Sequence, residues 1–352
     1  MHFLKIGPIK IPYVIKKENE RKVFEICGIK IPFSTYLENG RKVYCIFGIK
    51  IKLSNIDNLF LSQSKLNYME KDRLDDAKVK EIAVHIFEEK LGYTPNLDHP
   101  QSMNEKIFWM KLHYHNPLVT KCCDKFAVKE YVAEKWGDGH TIPTIQSWNS
   151  ADEIDFSVLP EKFVLKVNWS SGYNIIVKNK EELDQEKARE TVRHWMLPQQ
   201  NSYYQTFNWG YKKMQPIVYA EQYMEQIDGQ LYDYKFYCCN GKAKFLFIAT
   251  NRHEEGKLTY DFFDMDFNHL NLHYGGRAHS DKVLHKPRFY EEMIRSAELL
   301  AEPFPFVRVD FYETSDRFYV GEMTFYSGGG ILPFEPREWD YKLGDLIDIS
   351  NK

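Results

Sequence analysis

The chain has 352 residues and a net charge of -3 at pH 7, and 43% of its residues are hydrophobic. A chain of this size can bury more than one apolar core, and its charge is too weak for nucleic acid to be its main partner. No apolar run reaches the roughly 20 residues that a membrane-spanning helix requires. The N-terminus shows no signal-peptide pattern, and the six cysteines lack zinc-ligand spacing, so we expect a cytoplasmic protein with reduced thiols.

A short motif, a glycine followed by an Ile-Lys-Ile sequence, recurs three times near the N-terminus, within residues 7–11, 28–32 and 48–52. Asn39-Gly40, between the second and third copies, is a strong signal for a two-residue hairpin turn. The intervening segments alternate and are rich in β-forming residues. The pattern predicts a small unit of antiparallel β-hairpins over residues 1–53.

The predicted hairpin unit is basic, because residues 1–53 contain eleven Lys and Arg but only four Glu and no Asp. Its net charge of +7 leaves about -10 for the remainder of the chain. Such asymmetry predicts contact of this unit with an anionic membrane surface at its inner face. The alternative interpretation is that the lysines protect exposed strand edges from aggregation, and the sequence does not separate the two.

Helical patterns dominate the next part of the chain. Residues 54–75 are polar and are predicted to form a linker or a short helix. Apolar spacing in Asp76–Leu91, a capping box at Ser102–Glu105 and a second amphipathic stretch at Asp124–Trp136 then predict helices. We therefore expect a helical N-terminal lobe over residues 76–160.

Five charged residues lie within apolar, strand-like segments, and burying them costs several kcal/mol unless they are paired. They are Lys166, Lys235, Arg308, Asp310 and Glu322. Arg308 and Asp310 share one strand face, and Glu322 joins them if the last two strands form a hairpin. Two adjacent carboxylates favour Mg²⁺, and two lysines would balance the phosphates that complete its coordination. The alternative is a purely structural network of salt bridges.

Two small, polar turns follow strands that carry these charges. The first, Asn168–Asn174, contains Ser170, Ser171 and Gly172, whose backbone N–H groups are suited to wrapping phosphate oxygens. The second, 327–330, is Ser-Gly-Gly-Gly and permits close backbone approach to a ligand. Each signal alone is weak, since neither turn matches a P-loop or a GxGxxG pattern.

In their order along the chain, these features resemble the nucleotide site of ATP-grasp proteins. More closely, residues 90–347 resemble the teichuronopeptide-synthesis (TupA-like) ATP-grasp family. The likeness rests on Asn104-Glu105-Lys106, Asn116-Pro117-Leu118, Asp124-Lys125, Phe163-Val164-Leu165-Lys166, the segment Phe304–Asp310, Gly321-Glu322-Met323-Thr324 and the segment Glu338–Gly344.

The resemblance implies an α+β ATP-grasp fold, in which two α+β lobes grip ATP. The small lobe would comprise residues 161–225 and the C-terminal lobe, with the metal site, residues 226–352. The helical part and the small antiparallel β-hairpin unit would be additions at the N-terminal side.

The resemblance also implies roles for individual residues, with ATP and Mg²⁺ as cofactors. Lys125, Lys166 and the Ser170-Ser171-Gly172 turn would contact the nucleotide, Glu221 would lie near adenine or ribose, Lys235 would reach the phosphates, Asp310, Glu322 and Thr324 would hold magnesium, and Arg308 would stabilise the transferred phosphoryl group. Arg308 and Lys235 are thus the predicted catalytic residues.

The implied reaction is carboxylate–amine ligation through an acyl phosphate. By resemblance, the acid would belong to a uronic acid or acidic residue of a surface polysaccharide, and the amine to an amino acid or amino alcohol. No protein nucleophile is required, which fits the lack of a Ser/His/Asp or Cys/His set in the sequence.

Two other functions remain open at this point. Asp264-Met265-Asp266 matches the DxD pattern of glycosyltransferases, although its context favours a strand followed by a turn. A non-catalytic ATP-binding protein is the third hypothesis. It is motivated by the added basic unit at residues 1–53, and by Trp169 and Tyr173, which stand where the family is expected to have small or polar residues.

Overall fold

The structure, a computed structural model, describes the backbone of seven strands between His2 and Lys52, and then residues 68–169, 171–224, 232–251 and 258–350. The chain separates into two compact units, Met1–Lys65 and Leu66–Lys352. Among the described residues, no helix is both long and apolar enough to cross a membrane.

The first unit consists of short antiparallel strands. They are β1 (His2–Ile6), β2 (Ile9–Glu18), β3 (Arg21–Ile26), β4 (Ile29–Ile31), β5 (Phe33–Glu38), β6 (Arg41–Ile46) and β7 (Ile49–Lys52). Strands β1 to β4 form one sheet and β5 to β7 another, each in sequence order. The predicted antiparallel hairpins are therefore present, while the turn at Asn39-Gly40 lies outside the described residues.

The second unit contains the helices that the structure describes. They are α1 (Tyr68–Asp72), α2 (Asp76–Leu91), α3 (Met103–His113), α4 (Pro117–Cys123), α5 (Val128–Trp136), α6 (Gln185–Trp195), α7 (Ser202–Thr206), α8 (Tyr290–Ala301) and α9 (Glu338–Gly344). Helix α1 lies at the end of the segment predicted as a linker, of which residues 54–67 are outside the described part.

The predicted capping box opens helix α3. The Ser102 hydroxyl accepts from the Glu105 N–H at 3.2 Å, and the Glu105 carboxylate accepts from the Ser102 N–H at 3.1 Å. This reciprocal pair satisfies two N–H groups that a helix start leaves without partners. In the same first turn of α3, the Asn104 N–H donates to the Asp340 carboxylate of α9 at 2.9 Å, which ties the start of α3 to the C-terminal helix.

One helix begins later than predicted. The stretch predicted as a helix from Asp124 is helical only from Val128, because the Asp124 carboxylate accepts from the N–H groups of Phe126 (2.8 Å) and Ala127 (3.0 Å). This local bonding replaces the first helical turn with a bend. The bend places Lys125 in a loop between α4 and α5.

Two antiparallel sheets organise the rest of the unit. The small sheet has the order β10-β9-β11-β8, and the large sheet β15-β14-β13-β12-β17-β18. Their strands are β8 (Thr144–Trp148), β9 (Phe163–Val167), β10 (Asn174–Val177), β11 (Val218–Gln222), β12 (Asp233–Cys239), β13 (Lys242–Thr250), β14 (Thr259–Asp264), β15 (His269–Leu270), β17 (Phe306–Glu313) and β18 (Phe318–Thr324). Strands β16 (His273–Tyr274) and β19 (Phe334–Glu335) pair separately.

Strand register positions the charges of the large sheet. Lys235 on β12 lies opposite Asp310 on β17, and Asp310 lies opposite Glu322 on β18. Arg308, two residues before Asp310, lies opposite Thr324. Since directly paired residues point to the same face, all five side chains share one face of three neighbouring strands. Apolar residues from the same strands pack against α8, which contacts β12, β13 and β17.

Candidate functional site

A cleft of about 340 Å³ lies between the small sheet and the end of the large sheet. Its walls contain many of the residues singled out from the sequence. The described lining includes Lys125, Lys166, Ser171, Gly172, Glu221, Asp233, Tyr312, Gly321 and Glu322. Charged residues from the middle and the end of the chain therefore meet in one cavity.

Arg308 is the centre of the charged cluster on the large sheet. Its guanidinium donates to both carboxylate oxygens of Asp310 at 2.7 Å, through Nε and Nη2. Nη2 also donates to Glu322 (3.2 Å) and Thr324 (3.0 Å), and Nη1 donates to the Ser327 hydroxyl at 3.3 Å. Such bidentate, charge-assisted bonds fix the planar group and the oxygens around it in one arrangement.

Lys235 contacts the same carboxylate from the neighbouring strand. Its ammonium pairs with Asp310 and lies 3.4 Å from Asp233. Burial opposes ionisation of Asp310, but Arg308 and Lys235 outweigh it and hold the pKa of this carboxyl below its usual value. Asp310 is therefore a carboxylate that stays ionised although it is only 1% exposed.

A second charged cluster lies across the cleft on the small sheet. Glu221 is buried, and its carboxylate pairs with Lys166 on β9 and with Lys129 at 2.6 Å. Burial alone would raise the pKa of Glu221, yet the two lysines lower it. The structure thus places Glu221 between two cations on the wall of the cleft, and the position near adenine or ribose that the resemblance implies stays a prediction.

Sequence reasoning missed Lys129. It lies in α5, four residues after Lys125 in the sequence, and also donates to the Ile142 carbonyl and the Thr144 hydroxyl, both at 2.7 Å. A lysine on a helix usually indicates a solvated face. The sequence around Lys129 therefore carried no signal for its contact with Glu221.

Lys125 lies between the two clusters. Its ammonium pairs with Glu322, and its backbone N–H donates to the Asn168 carbonyl at 3.0 Å. Burial, and then the positive charge of Lys166, lower its pKa to about 7. Asn168 in turn donates to Asp124 at 2.7 Å, so this buried residue positions the Lys125 loop rather than facing a ligand.

The polar turn after β9 is only partly described, because Ser170 lies outside the described residues. Ser171 and Gly172 line the cleft, and Gly172 has a positive φ of 80°. Trp169 and Tyr173, the aromatic residues that stand where the family is expected to have small or polar ones, lie on either side of Ser171 and Gly172. Trp169 is buried and donates to the Trp195 carbonyl at 2.9 Å, and the Tyr173 ring stacks on Trp195 at 5.3 Å. Both contacts attach the turn to Trp195 at the end of α6, and Tyr173 also lines the cleft.

The glycines of the second turn serve packing. A Cβ at Gly330 would come within 2.9 Å of the Asn104 carbonyl oxygen, and one at Gly328 would collide with the Tyr274 hydroxyl. Lys111 of α3 donates to the Gly329 carbonyl at 2.9 Å. Close packing against α3 at Gly330, and against Tyr274 at Gly328, therefore explains why these two positions are glycine.

The DxD-like triplet forms a turn. The Asp264 carboxylate accepts from the N–H groups of Asp266 (3.0 Å) and Asn268 (2.8 Å), and from the Asn268 side chain (2.9 Å). These local bonds form the turn that follows β14, as the context of the triplet predicted.

Comparison with known proteins gave one family-level match. The family model described as TupA-like ATP-grasp matches residues 105–348. None of the curated proteins matches the chain.

Several solved structures are similar at low identity. They include a D-alanine–D-alanine ligase from Bacillus anthracis (17% identity, 62% of this chain, 59% of that chain, TM-score 0.36), N5-carboxyaminoimidazole synthase from Aspergillus clavatus with ADP and 5-aminoimidazole ribonucleotide (13%, 72%, 51%, 0.34), and a D-alanine–D-alanine ligase from Helicobacter pylori (16%, 64%, 61%, 0.37). The chain spans between about half and three fifths of the length of these structures.

The family match covers well over half of the chain, and it includes every residue of both charged clusters. It agrees with the resemblance inferred from the motifs and with the mixed helix and antiparallel sheet content. The chain therefore belongs to the TupA-like ATP-grasp family, and its fold is an ATP-grasp fold.

Proposed function

We propose that this protein is an ATP-dependent carboxylate–amine ligase that binds Mg-ATP in the cleft between the two sheets. The observation that carries the proposal is the strand register that gathers Lys235, Arg308, Asp310 and Glu322 on one sheet face, with Glu322 lining the same cleft as Lys166. The family assignment supports the same general activity.

The donor set on β17 and β18 suits magnesium. Asp310 and Glu322 offer carboxylate oxygens, and Thr324 offers a hydroxyl 3.4 Å from Glu322. The Arg308 guanidinium donates hydrogen bonds to all three side chains. Mg²⁺ prefers such oxygen ligands and completes its shell with phosphates and waters. When bound there, it would neutralise phosphate charge and orient the terminal phosphate.

The chain's own residues would supply the remaining charge stabilisation. The substrate carboxylate attacks the γ-phosphorus, the bond to the β-phosphate oxygen breaks, and ADP leaves with the electron pair. Lys166, Lys235 and Arg308 would offset the negative charge spread over the phosphoryl oxygens. The amine then attacks the acyl carbon, phosphate departs, and the amine proton passes to solvent.

We further propose that the acid is carried by a uronic acid or acidic residue of a surface polysaccharide, and that the amine is an amino acid or amino alcohol. The resemblance to the teichuronopeptide-synthesis family supports this choice. Contact of residues 1–53 with an anionic membrane at its cytoplasmic face, or with an assembly complex, remains a proposal too. It rests on the +7 charge of that unit.

The test is ADP release and amide formation, measured by a coupled assay and mass spectrometry with panels of uronic acids and amines. Wild-type protein should form an amide with at least one pair, and Asp310→Asn should lose at least about 100-fold in rate because a charged partner of the transition-state cluster is removed. Asp264→Asn is the matched control and should retain activity.

Three results would contradict the ligase. Absence of both ATP binding and turnover with every pair would remove the nucleotide site. ATP binding without turnover would favour the non-catalytic hypothesis, and loss of activity in Asp264→Asn alone would favour a glycosyltransferase.

A further inference from the structure

A second group of ligand-type side chains lies at the opposite edge of the large sheet, away from the cleft-lining strands. Asp261 on β14, His269 on β15 and His279 each offer one ligand atom, and these atoms all lie within 4.8 Å of one another. The His269 Nε2 is 3.2 Å from the Asp261 Oδ1. The ligand atoms of a tetrahedral zinc site, at roughly 2.0–2.2 Å from the metal, are separated by about 3.4 Å.

Hydrogen bonds to the backbone prepare the cluster for a metal. The His279 Nε2 lies 2.8 Å from the Leu272 carbonyl oxygen. Because a carbonyl can only accept, this nitrogen carries the proton, and in the neutral ring Nδ1 is left with its lone pair. Asp261 is 3% exposed, and its second oxygen accepts from the Ser280 N–H at 3.0 Å. Outer hydrogen bonds of this kind orient histidine and carboxylate ligands in metal sites.

We infer that Asp261, His269 and His279 bind a divalent transition metal, with Zn²⁺ as the best match. Two imidazole nitrogens and one carboxylate are the ligand types that zinc takes, whereas Mg²⁺ prefers oxygen alone. His269 is 40% exposed, which leaves a fourth position open to water. The inference is independent of the proposed ligase activity.

The site would stabilise the segment that follows β15. His273 stacks on His279 at 4.2 Å, and its neighbour Tyr274 contacts the Ser327 hydroxyl in the glycine-rich turn. The same hydroxyl accepts from Arg308. A metal bound by Asp261, His269 and His279 would therefore restrain the segment that carries Tyr274. Tyr274 contacts Ser327, which in turn accepts a hydrogen bond from Arg308.

The experiment is Co²⁺ titration of chelator-stripped full-length protein, in the presence of excess Mg²⁺ to saturate oxygen-only sites. Wild type should bind one Co²⁺ with the visible absorption of a tetrahedral site, and Zn²⁺ should displace it. His269→Gln and His279→Ala should each weaken Co²⁺ affinity by at least about 100-fold, since each removes a ligand rather than an outer partner.

His85→Ala is the matched control, because His85 on α2 lies 3.3 Å from Glu89 and, within the part of the chain that the structure describes, belongs to no group of three metal-ligand side chains. It should bind Co²⁺ like wild type. Circular dichroism and metal-free thermal unfolding identify variants that fail to fold, and the exposed His269 position is the less disruptive of the two. Weak binding by wild type, or unchanged binding by a folded His269→Gln, would overturn the inference.

Discussion

The two sheets that border the cleft carry opposite surpluses of charge. On the small sheet side, two lysines, Lys129 and Lys166, share the single carboxylate of Glu221. On the large sheet, Lys235 and Arg308 face three carboxylates, Asp233, Asp310 and Glu322. A surplus of cations favours phosphate binding, and a surplus of carboxylates favours metal binding. We therefore expect the small-sheet wall of the cleft to bind phosphate and the large-sheet wall to bind the metal.

The largest expected effect is on the large sheet. Arg308→Lys keeps the positive charge but loses the planar guanidinium that donates to Asp310, Glu322 and Thr324. We expect kcat to fall by about 100-fold or more, with a smaller change in nucleotide affinity, because the fork would act on charge that develops during transfer. Steady-state kinetics and ATP-analogue binding separate the two. An unchanged kcat would show that Arg308 is only structural.

The small sheet should respond differently. Lys166→Met removes a cation that faces the cleft, and we expect the dissociation constant for ATP to rise by about 10-fold to 100-fold. A fluorescent ATP analogue measures the change. Lys178→Met, an exposed lysine on the segment that follows β10, is the control and should bind normally. If Lys166→Met binds nucleotide as wild type does, the assignment of this wall to phosphate is wrong.

Lys125 lies between the two walls of the cleft, and its lowered pKa leads us to expect that the affinity for ATP depends on pH. Its pKa of about 7 in the free protein means that the amine is largely neutral above neutral pH. Phosphates beside it would raise this pKa, so ATP binding takes up a proton, and affinity falls as the pH rises above about 7. Calorimetry near pH 8 in buffers of different ionisation enthalpy should detect the uptake.

Lys125→Met supplies the comparison for that measurement. The variant should bind ATP without buffer-dependent proton uptake. Equal uptake by wild type and variant would assign the proton to another group.

The smallest effect is expected at the turn after β9. Tyr173→Ser removes the stack on Trp195, which is worth about 0.5–1.5 kcal/mol. If the stack holds Ser171 and Gly172 in place, KM for ATP should rise by up to about tenfold while kcat changes little. A lower KM in the variant would mean instead that the aromatic ring hinders the nucleotide.

Local patterns made part of this site predictable. Arg308 and Asp310 stand two residues apart in an apolar strand, so their shared face follows from strand geometry alone. The Ser102 capping box likewise predicted where α3 begins, because the bonding is within one turn. The resemblance to the family then extended these local features to one nucleotide site.

Non-local contacts account for what was not predicted. Nothing near Lys129 indicates that α5 would bring it to Glu221, ninety-two positions later in the sequence. His269 and His279 are ten positions apart in the sequence, and only the return of the chain past β14 brings them to Asp261. The helix predicted from Asp124 was wrong for a local reason, since a carboxylate that caps two N–H groups replaces a helical turn.

The most direct test of the nucleotide site is a crystal structure of the protein with Mn²⁺ and a non-hydrolysable ATP analogue. We predict anomalous density for Mn²⁺ within ligand distance of Asp310 and Glu322, with Lys166 and Lys235 on the phosphates. A nucleotide bound elsewhere, or a metal away from both carboxylates, would contradict the account.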